Sequence, residues 1–231
     1  PFIDTNLKRR LRIGYVSSDF RVHSVSYFFE PLLENHNSTS VETFCYCNNT
    51  EVDNVTNRLM KYADNWRSIV NYTDKDVVEL IKNDKIDILV DLGGHTARNR
   101  LLVFAQKPAP IQVSWLGYPN TTGLNTIDYR FTDIIADPIG SSDKIHSEQL
   151  IRLARGFQCF KGNKNIPFNQ HPPVQSRGYV TFGSFNNLCK ITPEVIRIWS
   201  RILNALPTSH LLLKSRQLTY SKDRYLDFFK R

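Results

Sequence analysis

Hydrophobic and polar positions along this chain follow two alternating periods. Short β-branched and aliphatic runs, each stopped by Gly, Ser, Asn or Pro, are separated by stretches whose apolar residues recur three to four apart. The runs at 11–16, Val41–Cys47, 86–92 and 111–116 predict strands, with weaker candidates at 128–132 and 149–153. The run 86–92 is nearly continuous, as expected of a parallel strand buried on both faces. Helical spacing covers Ser24–Glu34, where Val25, Phe28, Phe29, Leu32 and Leu33 share a face, and also 55–63, 73–83 and 98–105. Strand alternating with helix predicts the α/β class.

A polar, proline-containing connection spans 156–176, and Pro172-Pro173 reads as a linker between domains. Order resumes with a strand at 179–183, a loop at 184–192, a helix at 193–204 and a strand at His210–Leu213. Thr192 is placed as the helix cap and Pro193 at the first helical position. This is expected to be the beginning of a second α/β domain.

Ligands of open α/β sheets lie beyond the carboxyl ends of the strands, so the loops that stop the apolar runs are the places to seek chemistry. The first run leads into Ser17-Ser18-Asp19-Phe20, with His23 in the loop or first helical turn that follows. Asp19 and His23 read either as a capping Asp with a partly buried His or as a proton-transfer pair. The run 86–92 stops at Gly93-Gly94 and delivers His95 and Thr96, which either satisfy loop backbone groups or meet a ligand. The run 111–116 ends at Leu116, and the loop from Gly117 to Gly123 begins with a residue that allows close backbone approach. In the second domain, Asn186, Asn187 and Lys190 precede a helix start. There a cation suits a diphosphate, the alternative being an ordinary surface lysine. Asp74-Lys75-Asp76 spells the DxD of metal-dependent sugar-nucleotide sites. It follows Thr73 at a predicted helix start, where capping and the helix dipole account for both carboxylates.

Composition narrows the classes. Fourteen Phe, ten Tyr and three Trp in 231 residues suffice for a packed core. The formal charge of +8 favours an anionic partner. The basic residues are scattered apart from Lys8-Arg9-Arg10 and the C-terminal stretch, with no aromatic-interleaved basic face, so nucleic-acid binding is not expected. The four cysteines (45, 47, 159, 189) have no CxxC spacing, and no cluster resembles a metal site; a reducing, cytoplasmic setting fits them. No apolar run approaches ~20 residues, and the polar start lacks a signal-peptide core. Asn-x-Ser/Thr triplets at Asn37, Asn48, Asn54, Asn71 and Asn120 are attributed to an Asn-rich composition. The first strand is not followed by GxGxxG and no GxSxG elbow occurs, which sets aside dehydrogenases and α/β-hydrolases.

Four segments carry a family resemblance: GYVSSDFRVHSVSYF (14–28), DLGGHTARNRL (91–101), PAPIQVSWLGYPNTTGL (108–124) and FGSFNNLCKITPEVIRIWSRIL (182–203). Together they resemble the catalytic region of the protein O-GlcNAc transferase family, and within it the Spindly-type branch, whose plant members are protein O-fucosyltransferases, and its bacterial relatives. The resemblance implies a glycosyltransferase-B fold: an N-terminal Rossmann-like domain at 11–160, a linker at 161–178, and from 179 to 231 the start of a nucleotide-sugar-binding domain. It implies inverting, metal-independent transfer of a sugar from UDP-GlcNAc or GDP-fucose to Ser/Thr hydroxyls of proteins, without a cofactor. Tetratricopeptide repeats are expected elsewhere in the full-length polypeptide, in a cytoplasmic protein that is also nuclear if eukaryotic. It puts Lys190 on the donor phosphates, Asn186 and Asn187 on the nucleotide, Leu116 and Gly117 at the sugar, His95 and Thr96 beside sugar or acceptor, and Asp19 and His23 in catalysis. The O-GlcNAc transferases carry Gln where Asn187 stands and Tyr-Thr where His95-Thr96 stands. The rival expectation is a non-catalytic or truncated binding module of the same fold.

Overall fold

The computed structural model describes residues 6, 8–162, 165–167, 170–215 and 217–230. Parts of the polar start and of the 161–178 connection lie outside the described residues. The chain divides into two compact units, residues 1–162 and 163–231.

The first unit is a seven-stranded parallel sheet. Its strands are β1 (Leu11–Ser17), β2 (Val41–Cys47), β3 (Asn65–Ser68), β4 (Ile88–Asp91), β5 (Ile111–Ser114), β6 (Tyr129–Thr132) and β7 (Gln149–Arg152). Their order is β3-β2-β1-β4-β5-β6-β7, and every neighbouring pair is parallel. The helices are α1 (Ser24–Glu34), α2 (Asn54–Tyr62), α3 (Asp74–Asn83) and the single turn α4 (Leu101–Phe104). Successive strand residues point to opposite faces, so Tyr15, Cys45, Cys47 and Val90 pack with α1 and α2, around Phe29 and Leu59. Val16, Phe44, Tyr46 and Leu89 pack on the other face with Val77, Val78 and Ile81 of α3 and Phe104 of α4. The α/β class is therefore as expected, with the sheet covered on both faces.

Local chemistry sets the helix starts. Thr73 accepts from the Asp76 N–H at 3.2 Å while Asp76 accepts from the Thr73 N–H at 3.1 Å, a reciprocal capping box. Asp74 ion-pairs with Arg100 at 2.8 Å. The DxD carboxylates are thus occupied as helix-start groups. Among the described residues, no group of three or more His, Cys, Asp or Glu is placed to hold a metal ion.

Three expectations change in this unit. The strand β3 was hidden, because Asn-Trp-Arg-Ser carries no apolar alternation. The helix expected at 98–105 shrinks to one turn, since Arg98 takes φ 60°, which a right-handed helix does not accept. Arg100 is held outside it by Asp74, Asn48 and the Ile69 carbonyl. The runs 86–92 and 111–116 form ladders only over β4 and β5, so their last residues belong to the loops that follow.

The second unit contains the short helix α5 (Pro173–Arg177), strands β8 (Thr181–Ser184) and β9 (His210–Leu213), and helices α6 (Pro193–Ala205) and α7 (Leu218–Lys230). β8 and β9 pair in parallel. Pro173, expected in a linker, is the first residue of α5, where its missing N–H is harmless. The helix α7, which sequence periodicity did not reveal, contributes Tyr225 and Phe228 to the core around Leu188, Ile191 and Ile196.

Candidate active site

Strand order reverses direction between β1 and β4, so the crevice beyond their carboxyl ends is where an open α/β sheet offers a ligand site. Three loops meet the solvent there, after β1, β4 and β5.

After β1, the Ser17 hydroxyl accepts from the Asp19 N–H at 2.9 Å, and the Ser26 hydroxyl donates to the Asp19 carbonyl at 2.6 Å. Asp19 is buried. His23 is the N-cap of α1, its Nδ1 accepting from the Val25 N–H at 3.3 Å. The cap is therefore His23, not Asp19. Asp19 Oδ2 lies 3.8 Å from Nδ1, close enough for charge attraction but too long for a hydrogen bond. The pair is brought together as expected, without the direct bond by which a carboxylate orients an imidazole. An Nδ1 that accepts an N–H leaves the neutral ring's proton on Nε2.

After β4, Asp91 is buried at 1% exposure. Its carboxylate accepts from the Gly93 N–H at 3.0 Å and the Gly94 N–H at 2.8 Å. Burial pushes its pKa up to about 6, against the opposing pull of those two N–H groups. Sequence reading passed over Asp91; its signal was an Asp at a strand end followed by Gly-Gly, the makings of an Asx turn. The turn brings out His95, which is exposed, and whose Nε2 donates to the Thr122 carbonyl at 2.9 Å. The His95 ring packs edge-on to Tyr118, with centroids 5.4 Å apart. The Thr96 hydroxyl donates to the Gly93 carbonyl at 2.8 Å. Both side chains thus bond loop carbonyls, one across to the β5 loop and one within its own turn.

After β5, the Gly117 N–H donates to the Trp115 carbonyl at 3.0 Å around Leu116, whose φ is 77°. That is a γ-turn centred on a leucine, a strained conformation of the kind concentrated at ligand sites. A Cβ on Gly117 would stand 2.0 Å from the Leu92 carbonyl oxygen, so the β5 loop lies directly on the backbone leaving β4. Leu116 and Gly117 are therefore placed together with the His95 turn.

In the second unit, Asn187 Oδ1 accepts from the Cys189 N–H at 3.2 Å and starts a 3-10 turn, Leu188–Lys190. Tyr225 anchors that turn by donating its hydroxyl to the Leu188 carbonyl at 3.1 Å. Asn186 and Lys190 are exposed. The Lys190 ammonium has no side-chain partner among the described residues. The helix start offers fewer donors than the sequence suggested. Pro193 has none and the Val195 N–H is taken by the Thr192 hydroxyl at 3.3 Å. Lys190 is the cationic side chain on the turn that leads into this helix start. Phe185, 68% exposed beside Asn186 and 5.8 Å from the Lys214 ammonium, presents an aromatic face that sequence reading did not single out.

Comparison with known proteins adds four findings. A family model described as glycosyl transferase family 41 matches residues 3–172. A tomato (Solanum lycopersicum) protein named probable UDP-N-acetylglucosamine–peptide N-acetylglucosaminyltransferase SPINDLY is 48% identical over 213 residues, which is 90% of this chain and 23% of that protein. The Arabidopsis thaliana protein of the same activity name, SEC, is 36% identical over 220 residues, 89% of this chain and 22% of its own. The chain thus spans under a quarter of the length of these curated relatives. Among solved structures, a variant of the Thermobaculum terrenum O-GlcNAc transferase superposes with a TM-score of 0.91 at 39% identity, covering 99% of this chain and 43% of that one.

Proposed function

Since this chain belongs to glycosyl transferase family 41, we propose that it forms part of the catalytic region of a protein O-glycosyltransferase. The donor is a nucleotide sugar, UDP-GlcNAc or GDP-fucose, and the acceptor a Ser or Thr hydroxyl of a protein. Transfer inverts the anomeric centre and runs without a metal ion or cofactor. The observation that carries the reading is the γ-turn at Leu116, pressed by Gly117 onto the strand-end backbone beside the sheet's switch point.

The residues then have separate tasks. Lys190 binds the donor diphosphate and stabilises the charge that grows on it as the sugar leaves. Phe185, Asn186 and the Asn187 amide offer stacking and hydrogen bonds to the nucleoside. Leu116 and Gly117 pack against the sugar, and the His95-Thr96 turn borders sugar or acceptor. His23 accepts the hydroxyl proton at Nε2 once exchange with solvent has put its own proton on Nδ1, which releases the Val25 N–H from the cap bond; Asp19 Oδ2, 3.8 Å away, then stabilises the charged ring. The rival of a non-catalytic module keeps the fold and loses turnover. Tetratricopeptide repeats elsewhere in the full-length polypeptide, and a cytoplasmic or nuclear location, belong to the same proposal. Among the described residues, no helix is long and apolar enough to cross a membrane.

The test is a donor panel on the full-length polypeptide, with UDP-GlcNAc and GDP-fucose supplied separately and nucleoside diphosphate release recorded. One donor is expected to turn over well above the other. Turnover of neither, with the protein folded, sides with the binding module.

A further inference from the structure

Glu148 sits just before β7 and is 4% exposed, far from the expected behaviour of a surface carboxylate. Three hydrogen bonds reach its carboxylate from one short segment. Oε1 accepts from the Thr122 N–H at 2.7 Å and from the Thr122 hydroxyl, and Oε2 accepts from the Thr121 hydroxyl at 2.7 Å. The Thr121 oxygen in turn accepts from the Gly123 N–H at 3.0 Å and the Ser147 N–H at 3.2 Å, which leaves its one proton for the carboxylate. Burial alone would favour the neutral acid, but these hydrogen bonds hold the Glu148 carboxyl below its usual pKa. A buried charge satisfied in this way fixes the loop that satisfies it.

The loop passes the constraint on. The carbonyl of Thr122 receives the His95 Nε2–H at 2.9 Å, and a carbonyl can only accept. The neutral His95 ring therefore carries its proton on Nε2 and keeps Nδ1 as its one acceptor, with Tyr118 against its edge. We propose that Glu148 is a positioning residue that works through Thr122. It orders the 118–123 loop and holds the neutral His95 ring in the tautomer that leaves Nδ1 unprotonated. The consequence for turnover rests on the glycosyltransferase reading; the tautomer does not.

Two substitutions separate this role from general support of the fold. Glu148→Ala leaves the Thr122 N–H and both hydroxyl protons without their acceptor. Glu148→Gln keeps an oxygen for Thr122 but sets an amide N–H against the Thr121 hydroxyl, so it restores half of the arrangement. The intact protein is labelled with nitrogen-15 histidine, and the His95 ring signals are identified by their loss in His95→Gln. Wild type is expected to show a protonated Nε2 and an unprotonated Nδ1. Glu148→Ala is expected to shift both signals toward a tautomer mixture, and Glu148→Gln to lie between the two. In transfer assays, Glu148→Ala is expected to lower kcat ~10–100-fold, as loss of an orienting partner does at other sites. The donor KM should stay close to wild type, because Glu148 touches no substrate. Ring signals unchanged in Glu148→Ala, or Glu148→Gln as altered as Glu148→Ala, overturn the proposal. If Glu148→Ala fails to fold, Glu148→Gln decides it: a His95 spectrum identical to wild type overturns it. Absence of sugar transfer by wild type counts against the functional reading alone, since the ring signals decide the tautomer.

Discussion

Replacing Gly117 with alanine puts a methyl carbon 2.0 Å from the Leu92 carbonyl oxygen and 2.8 Å from its carbon. Carbon and oxygen in comfortable contact stand about 3.3 Å apart, so one backbone must move by roughly 1.3 Å. Neither is free to do so. Leu92 is tied back to β1 by its N–H on the Val16 carbonyl at 3.1 Å, and Gly117 is tied by its own N–H to Trp115 at 3.0 Å. Overpacking typically costs about 1–3 kcal/mol, and a clash between two hydrogen-bonded backbones belongs at the upper end, about 3 kcal/mol. Gly123→Ala is the control. Its φ of 73° strains an alanine, yet nothing lies within 4 Å of the added carbon, so about 1 kcal/mol is expected. Urea unfolding followed by tryptophan fluorescence compares the three proteins. Gly117→Ala is also expected to abolish donor turnover, because the Leu116 turn is displaced with it. A Gly117→Ala protein within 0.5 kcal/mol of wild type, or no less stable than Gly123→Ala, would refute the close approach on which the site is built (an order-of-magnitude threshold for exposed, harmless changes).

Three further outcomes follow from the same geometry. Lys190→Met, in an exposed side chain, is expected to leave the melting temperature unchanged and to slow single-turnover transfer roughly a hundredfold; activity within a few-fold of wild type makes Lys190 a surface lysine. His23→Ala is expected to lose ~10²–10⁴-fold in turnover and, by removing the α1 cap, about 1 kcal/mol of stability. His23→Asn should recover the stability and none of the turnover, and recovery of both would leave His23 only a cap. Asp91 has a folded pKa of about 6 against an ordinary 3.8. The folded state therefore holds the proton more tightly, and stability contributed by the neutral acid is lost as pH rises from about 4 to about 6, by about 3 kcal/mol. Urea unfolding of wild type and Asp91→Asn across that window should show their difference drifting by this amount, and a flat difference would mean that Asp91 is charged throughout.

Much of the frame was legible because it depends on local pattern. The spans of α1, β2 and β9 coincide with their apolar periods, and Thr73 and Thr192 announced their helices through capping chemistry. β3 was not legible, because its short sequence gains its strand from pairing with β2 rather than from its own residues. Nor was the late start of α4 at Leu101, since Arg98 takes φ 60° while its carbonyl accepts from the Asn48 amide at 2.8 Å across the sheet end. At the site, the loops could be located from where apolar runs stop. What they contain could not: the burial of Asp91, the γ-turn at Leu116 and the carbonyl that receives His95 all arise when the β4 and β5 loops are packed together. His23 was recognised as a chemical group, but its use of Nδ1 as a helix cap is visible only with the backbone in place.

The most direct measurement is the intact mass of an acceptor protein incubated with the full-length polypeptide and its nucleotide-sugar donor, in excess chelator. Mass increments of single sugars on the acceptor, lost in Lys190→Met, are the outcome this structure leads us to expect. Donor consumption with no gain in acceptor mass, or transfer that survives Lys190→Met unchanged, would contradict it.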